Sequence, residues 1–452
     1  MRETRPLLAW LVAVLLLTAA CVDRGAPDRE AASRQERPEI AWGQWRGPGG
    51  LGISTESPLP VRWSGDGGAD GIRWKAALAG KGNSSPIAVG DRVFLTAAVK
   101  REGGLLDRDV LAFDLTDGTP LFRTTIFSDA EYRTHNQNTN AAPTPVADGT
   151  AVYVFFGSML AAVDPEGAVL WRQRIDPLYE EYAHWGSASS PILFEDLILV
   201  FQDAEKAVAD KEGWLGAFDK TTGNEVWRQR WKDTCCSYTT PLLWDRAGEV
   251  DLVVAHSGSV RAYDPRTGQS RWSHPYQVNQ FVASPVATGD LLCTLGGAHN
   301  VKGNGCFRVS GRHPEAVVEQ LWWDAHSAPE DASPVLYGET LFAVTIQGVM
   351  SAYDPLTGNV LWRTRLPTRA HHASLVAGDG KVYVLSSWGR VLVLDATSRE
   401  FTLLADNDLG EKATNASPAI AGGCLLVRTR ENLVCVGTQA ADPSTSVVQP
   451  SG

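Results

Sequence analysis

The stretch Ser351-Ala-Tyr-Asp354-Pro-Leu-Thr-Gly358-Asn-Val-Leu-Trp362-Arg-Thr-Arg365 decides the fold. An alternating apolar strand runs into a polar turn that closes at a glycine, and the next strand opens with a tryptophan. This pattern predicts a β-hairpin whose outer strand is anchored by an indole. Related phrases recur at residues 262–272, 217–227, 112–122 and, one residue shorter, 162–171.

A second phrase precedes each hairpin and marks the start of a repeat. It consists of a small residue, a proline and an apolar strand, and proline suits the first position of a strand because no ladder donor is required there. The spacing of roughly 41 to 59 residues is typical of propeller blades. The phrase occurs at Ser85-Pro86, Thr144-Pro145, Ser190-Pro191, Thr240-Pro241, Ser284-Pro285, Ser333-Pro334 and Ser417-Pro418, with His372-Ala-Ser374 in the same place without the proline.

These repeats predict an all-β protein, an eight-bladed β-propeller of four-stranded antiparallel blades over residues 42–437. The fifth unit lacks the turn phrase but keeps Trp322, and the eighth stops after three strands. The segment around Trp74 is expected to supply the missing fourth strand, which closes the ring and removes exposed sheet edges. An open solenoid of stacked β-units is the alternative.

Composition limits the classes of partner. The chain has 452 residues and a formal net charge of −11, and no cluster of Lys and Arg suggests a nucleic-acid partner. Three methionines and the lack of a long 3.6-residue period after residue 20 argue against a helical protein.

The N-terminus resembles a bacterial lipoprotein signal peptide over residues 1–20. Arg2 and Arg5 precede a short apolar run that ends in Leu17-Thr-Ala-Ala-Cys21. The resemblance implies lipidation of Cys21, and a cleaved signal with a chance cysteine is the alternative. Residues 21–41 are expected to be a flexible tether and residues 438–452 a disordered tail. Val22 replaces the aspartate of the inner-membrane retention signal, so we expect export and an outer-membrane anchor that faces the periplasm or the cell surface.

The Asp-x-x-Thr-Gly-x-x-x-Trp phrase, the eight blades and the Trp-Arg-Gly-Pro motif at residues 45–48 resemble the pyrroloquinoline-quinone-like (PQQ-like) β-propeller repeat proteins. The resemblance covers about residues 42–437. It implies a propeller fold, and it leaves several activities open. The family includes quinoprotein alcohol dehydrogenases, a lipoprotein scaffold of outer-membrane protein assembly, and secreted proteins without a known activity.

Residues just before each small-residue–proline phrase are expected to surround the funnel at one end of the channel. Histidines at such a concave face could bind a metal or transfer protons, or they could simply bond neighbouring backbone. The hairpin aspartate is better interpreted as a turn cap. The funnel candidates are Asn138, Asn140, His184, Trp185, Cys235, Cys236, Asp331, His371, His372 and Asn415.

A quinoprotein would need PQQ on an aromatic platform and a Ca²⁺ ion held by carboxylate and amide oxygens. Asn138, Asn140, Asp331, Asn415 and Trp185 offer these groups, although none matches the ligand pattern of the dehydrogenases. The chain also lacks the long insertions of those enzymes. It contains no Gly-rich phosphate loop, His-Glu-x-x-His pair or Gly-x-Ser-x-Gly elbow, so no hydrolase motif supports a glycan or peptide hydrolase.

Six cysteines remain once Cys21 is set aside, and an even number suits an oxidising, exported compartment. Four of them fall on neighbouring strands of single blades, and chance thiols in the core are the alternative. The resemblance to quinoprotein dehydrogenases implies a disulfide between the adjacent Cys235 and Cys236 at the funnel, and such a bond would be strained and easily reduced. The alternative is that the two cysteines simply pack as small residues. The candidates are Cys235, Cys236, Cys293, Cys306, Cys424 and Cys435.

Together these patterns favour a non-catalytic binding or assembly scaffold at the cell envelope, with a protein partner or a small ligand at the funnel. Blade-to-blade repetition is evident, whereas a catalytic set is not. The second hypothesis is a quinoprotein oxidoreductase, an alcohol or sugar dehydrogenase that binds PQQ and calcium. Fold alone does not decide between the two.

Overall fold

A computed structural model describes residues 39–64, 71–130, 135–175, 185–203, 212–232, 236–246, 248–298 and 301–437. The expected signal peptide, Cys21 and the tail 438–452 lie outside the described residues, as does most of the tether. Within the described part of the chain, no helix is long and apolar enough to cross a bilayer.

The predicted eight-bladed propeller is confirmed. The described residues form eight sheets, each of four antiparallel strands, and the strands of blades 1 to 7 follow one another in chain order. A short 3₁₀ turn, Pro48–Gly50, precedes the strands.

The strands are given from the inner edge of each blade outward. Blade 1 consists of β2 (Ile87–Val89), β3 (Arg92–Lys100), β4 (Leu105–Asp114) and β5 (Pro120–Ala130), and blade 2 of β6 (Val146–Ala147), β7 (Val152–Phe155), β8 (Met159–Val163) and β9 (Val169–Arg174). Blade 3 consists of β10 (Ile192–Phe194), β11 (Leu197–Gln202), β12 (Gly213–Asp219) and β13 (Glu225–Trp231), and blade 4 of β14 (Leu242–Arg246), β15 (Glu249–His256), β16 (Ser259–Tyr263) and β17 (Ser270–Pro275). Blade 5 consists of β18 (Val286–Thr288), β19 (Leu291–Ala298), β20 (Val301–Ser310) and β21 (Val317–Asp324), and blade 6 of β22 (Val335–Tyr337), β23 (Thr340–Val344), β24 (Val349–Tyr353) and β25 (Val360–Arg365). Blade 7 consists of β26 (Val376–Gly378), β27 (Lys381–Leu385), β28 (Arg390–Asp395) and β29 (Leu403–Asp408), and blade 8 of β30 (Ala419–Ala421), β31 (Cys424–Arg428), β32 (Asn432–Gly437) and β1 (Ile72–Ala77).

Blade 8 joins the two ends of the chain, as the sequence predicts. Strand β1 pairs antiparallel with β32, from Ile72 opposite Val436 to Ala77 opposite Asn432. Its tryptophan, Trp74, is buried and donates its indole N–H to Leu115 O of blade 1 at 3.0 Å. The N-terminal strand therefore both completes one blade and fastens it to the next.

The hairpin phrase is explained by how each turn meets the outer strand of the blade before it. In blade 4, the carboxylate of Asp264 accepts the N–H groups of Arg266 at 2.8 Å and Thr267 at 3.1 Å, which shapes the turn. Gly268 has φ +72°, and a Cβ there would lie 2.4 Å from the Trp227 ring. Aspartate, glycine and tryptophan thus form one structural unit. The equivalent glycine–aromatic contacts are Gly118 on Trp74, Gly167 on Phe122, Gly223 on Trp171 and Gly358 on Trp322.

Gly268→Ala is expected to destabilise the protein more than Gly258→Ala. Both glycines have positive φ, so alanine costs about 1–2 kcal/mol at either position. A methyl group at 258 meets open space, whereas one at 268 displaces the Trp227 indole, which adds about 1–3 kcal/mol. Chemical denaturation of the two variants measures the difference. Equal losses would show that the indole contact is not needed.

The structure contains one disulfide among the described residues, between Cys293 and Cys306, which lie opposite each other on β19 and β20. Cys424 and Cys435, two further disulfide candidates, are both buried thiols in the structure. Cys424 lies opposite Gly437 and Cys435 opposite Leu426, so the two cysteines are diagonal neighbours. The hydrogen bond with Cys435 lowers the pKa of the Cys424 thiol to about 7. Arg73 contributes to this shift, because its Nη1 donates to Cys424 Sγ at 2.9 Å.

Candidate functional site

A closed ring of hydrogen bonds surrounds the channel where the eight inner strands begin. In each blade, the hydroxyl of the Ser or Thr at the start of the repeat accepts the backbone N–H of the equivalent residue in the preceding blade, at 2.8 to 3.0 Å. The repeated phrase therefore encodes a contact between blades as well as a strand start. The ring runs through Ser85, Thr144, Ser190, Thr240, Ser284, Ser333, Ser374 and Ser417 and returns to Ser85.

The N-terminal arm, residues 39–64, enters the channel from one end. Trp42 exchanges two backbone hydrogen bonds with Ala88 of β2, at 3.1 and 3.0 Å. After the turn at Pro48–Gly50, Gly52 O accepts the N–H of Ala377 on β26 at 2.7 Å. Between these contacts the buried Arg46 donates to the carbonyl of Pro334, next to the hydroxyl ring. The arm thus packs along the inner strands and turns over close to the ring.

Asp379 fastens the arm to blade 7. Its carboxylate accepts the Ser57 hydroxyl at 2.7 Å and the Leu59 N–H at 2.9 Å, and it pairs with Lys381 at 2.5 Å. These bonds, that from Lys381 first, lower the pKa of Asp379 to about 2 from its ordinary 3.8. Because the folded pKa is the lower one, this contact stabilises the protein above about pH 4 and is lost as the pH falls toward 2.

Asp379→Asn is expected to lower the melting temperature at pH 7 and to have a smaller effect near pH 2. Asparagine removes the charge that Lys381 and the two arm donors stabilise, and at low pH the parent protein loses that charge as well. Thermal melts of both proteins between pH 7 and pH 2 measure the gap. A gap of the same size at both ends of this range would contradict the role of the charge.

A cavity of about 340 Å³, here called the cup, borders the hydroxyl ring. Residues of the ring, of the loops before the inner strands, and Trp45 of the arm line it. The arm therefore contributes Trp45 to the wall of the cup.

Five of the predicted funnel residues line the cup, whereas the described Asn140, Cys236 and His371 are not among its lining residues. Asn140 is beside it and donates its backbone N–H to Asn138 at 2.9 Å. Cys236 is half-buried with φ +71°. His184 and Cys235 lie outside the described residues, so the bond between the adjacent cysteines stays a prediction. The five lining residues are Asn138, Trp185, Asp331, His372 and Asn415.

Asn138 is a structural clamp. Its amide nitrogen donates to the carbonyls of Trp185 at 2.7 Å and Ser187 at 3.1 Å, and its oxygen accepts the N–H groups of Thr139 and Asn140. The side chain holds the loops of blades 2 and 3 together. Its oxygen is therefore already engaged as an acceptor.

The two adjacent histidines have different environments. His371 is buried, and its Nδ1 lies 3.0 Å from Leu385 O. Burial lowers the pKa of His371, so the imidazole is held neutral in the core. His372 lines the cup, and its Nδ1 lies 2.5 Å from Asp331 Oδ2.

Each carboxylate in the lining of the cup is paired with a base. Asp331 contacts His372, and Glu330 pairs with Lys302 at 2.6 Å while it also accepts the Ile346 N–H at 3.2 Å. No Lys or Arg is among the described residues that line the cup. Lys302 therefore neutralises Glu330, and the Asp331 carboxylate is bound to an imidazole.

PQQ and calcium do not fit the described lining of the cup. The quinone carries three carboxylates, and the lining offers no Lys or Arg to bind them. Calcium takes six to eight oxygen ligands. The Asn138 oxygen and one Asp331 oxygen already accept hydrogen bonds, and no group of three or more His, Cys, Asp or Glu suited to a metal occurs among the described residues.

Sequence reasoning missed Trp45, Glu330 and the hydroxyl ring. Trp45 belongs to the Trp-Arg-Gly-Pro motif of the arm, and the sequence does not predict that the arm lies in the channel. A signal was present in Gly52, where φ is +76° and a Cβ would lie 2.8 Å from Leu375 O. Such a glycine indicates close backbone approach, although it does not say to which blade.

Eight blades, a hydroxyl ring and a channel arm define a PQQ-like β-propeller. The family model described as "Outer membrane protein assembly factor BamB" matches residues 51–190, 211–305 and 316–443. The chain therefore belongs to this family.

Individual relatives agree with the family. The chain is 24% identical over 374 residues to outer membrane protein assembly factor BamB of Burkholderia pseudomallei, which covers 79% of this chain and 85% of that protein. Its fold is similar to that of BamB from Moraxella catarrhalis, with a TM-score of 0.56 at 12% identity over 81% of this chain and 97% of the other. A quinohemoprotein alcohol dehydrogenase from Pseudomonas putida gives the same TM-score and identity over 90% and 82% of the chains. The two solved structures share the fold with this chain.

Proposed function

We propose that this protein is a non-catalytic binding or assembly scaffold of the cell envelope, which takes part in outer-membrane protein assembly. The observation that carries the proposal is the similarity to BamB of Burkholderia pseudomallei along 85% of that protein. The paired carboxylates and the absence of cationic residues in the described lining of the cup support it further, because they oppose the quinoprotein alternative.

Reconstitution tests the proposal against that alternative. The purified apoprotein is incubated with PQQ and Ca²⁺, dialysed, and examined for a retained quinone absorption band. We expect the quinone to be removed by dialysis and no alcohol or sugar to be oxidised. Stoichiometric retention of the chromophore with calcium-dependent oxidation of an alcohol would make the protein a quinoprotein dehydrogenase instead.

A lipid on Cys21 would hold the scaffold at the membrane. The proposal rests on the apolar run and the Leu17-Thr-Ala-Ala-Cys21 ending of the first segment. A single covalent chain gives only weak membrane binding, so stable anchoring needs a second signal, such as another acyl chain. The anchor would place the propeller in the periplasm or at the cell surface.

Cys21→Ser is expected to convert the protein from a membrane-bound to a soluble, exported form. Serine lacks the thiol that accepts the lipid, while the apolar run that directs export is unchanged. Immunoblots of soluble and outer-membrane fractions measure the distribution. An unchanged membrane fraction for the variant would refute lipidation at this residue.

A further inference from the structure

The cup is a cavity that the rigid inner rim of the propeller encloses. Its volume of about 340 Å³ is near the lower end of the ~300–1,000 Å³ typical of small-molecule sites. The hydroxyl ring fixes its walls through bonds of 2.8 to 3.0 Å, and Trp45 stands on an arm secured to blades 1 and 7. A site of this kind is formed before a ligand arrives, which reduces the entropy lost on binding.

The chemistry of the lining excludes whole ligand classes. No Leu, Ile, Phe or Met is among the described lining residues, which argues against an acyl chain. The absence of Lys and Arg there argues against phosphates and carboxylates. Lys302 neutralises Glu330, and the Asp331 carboxylate is bound to His372, so neither carboxylate faces the cup without a partner that competes with a cation.

The remaining groups suit a neutral polar ligand with an apolar face. Amide side chains, which each combine donors with an acceptor, line the cup at Asn83, Gln280 and Asn415. Aromatic rings are placed at the arm and in a loop, at Trp45 and Tyr238. A sugar ring presents this combination, because its hydroxyls both donate and accept while its C–H face packs on an aromatic ring.

We propose that the cup binds a neutral saccharide of one or two rings, which packs on Trp45 and is held by Gln280, Asn415 and the Asp331–His372 pair. The inference goes beyond the scaffold function and stands on the geometry of the cup alone. The proposed site binds the saccharide and catalyses no reaction on it.

Intrinsic tryptophan fluorescence and calorimetry test the inference on the full mature chain. The sugars titrated are glucose, N-acetylglucosamine, cellobiose and chitobiose, with choline and PQQ plus Ca²⁺ as charged comparators. Trp45→Ala and Gln280→Ala are expected to weaken saccharide binding at least tenfold. The matched control is Trp388→Ala, because Trp388 is 49% exposed and is not a lining residue of the cup. Its affinity should be unchanged.

Thermal melts separate lost binding from lost folding, and Gln280→Ala provides a second variant that leaves the arm intact if Trp45→Ala destabilises it. Saccharide binding that Gln280→Ala weakens and Trp388→Ala does not would support the inference. No binding of the four sugars at millimolar concentration, preferential binding of choline or PQQ, or equal loss in Trp388→Ala would overturn it. None of the sugar results bears on whether assembly partners bind, so the two proposals fail independently.

Discussion

Protein that begins at residue 78 is expected to aggregate and to lose the cooperative melting of protein that begins at residue 39. The deletion removes β1, so β32 becomes an exposed edge whose residues 433–436 are buried in the intact protein. An unpaired apolar edge is a template for pairing with other chains. The loss of Trp74 alone is worth about 3–5 kcal/mol, a large part of the ~5–15 kcal/mol that stabilises a typical protein.

Calorimetry and size-exclusion chromatography measure this effect, and the control is the point variant Trp74→Ala. The variant keeps the strand pairing but removes the indole and its bond to Leu115 O. We expect it to remain monomeric with a lowered melting temperature. A shortened protein as stable and as monomeric as the longer one would show that the ring closes without the N-terminus.

Asp251→Ala is expected to be the most damaging single substitution in blade 4, at about 3–5 kcal/mol of unfolding free energy. Asp251 is fully buried and accepts bonds from Arg246 Nη2 at 2.7 Å, Arg271 Nη1 at 2.9 Å and the Trp272 indole at 2.9 Å. Its removal takes away the buried carboxylate that the two guanidinium groups share, and it leaves Arg246 with Glu249 at 3.3 Å and Arg271 with Asp264 at 2.5 Å. Arg246 also donates to Gly311 O of the β20–β21 turn, so the loss extends to the contact with blade 5.

The matched control is Asp395→Ala in blade 7. That aspartate is near the surface and caps a turn by accepting the Thr397 N–H at 2.8 Å. A lost cap bond of this kind costs about 0.5–1.5 kcal/mol. Urea denaturation compares the two variants. Losses of similar size would indicate that the buried charge cluster is not a main contributor to the stability of blade 4.

The architecture could be predicted from the sequence because each blade repeats local rules. The aspartate turn, the glycine with positive φ and the outer tryptophan are separated by fixed numbers of residues, so Asp264, Gly268 and Trp272 already specify a hairpin. The closing strand was also accessible, since Trp74 stands outside any complete repeat while the last unit lacks a strand. The hairpin phrase depends only on residues close in the chain, and the closing strand depends only on the order of the repeats, so both can be predicted from sequence.

The cup could be predicted in part, because the loops before the inner strands converge on it and bring together Asp331 and His372 from neighbouring blades. Two other features could not be predicted, because one depends on the register of two strands and the other on the path of the arm. Cys424 and Cys435 are offset by two residues across β31 and β32, which their spacing in the chain does not reveal. Trp45 reaches the cup only because the arm enters the channel, and no periodic pattern specifies where an irregular segment docks.

In-cell crosslinking tests the central claim, that this propeller is an envelope assembly scaffold, most directly. Tagged protein with Cys21 intact is crosslinked in its own host, purified from solubilised outer membrane and analysed by mass spectrometry beside the Cys21→Ser variant. We expect proteins of outer-membrane β-barrel assembly to be enriched over other envelope proteins, and the variant to capture fewer of them. Equal recovery of assembly proteins and unrelated envelope proteins with the intact chain would contradict it.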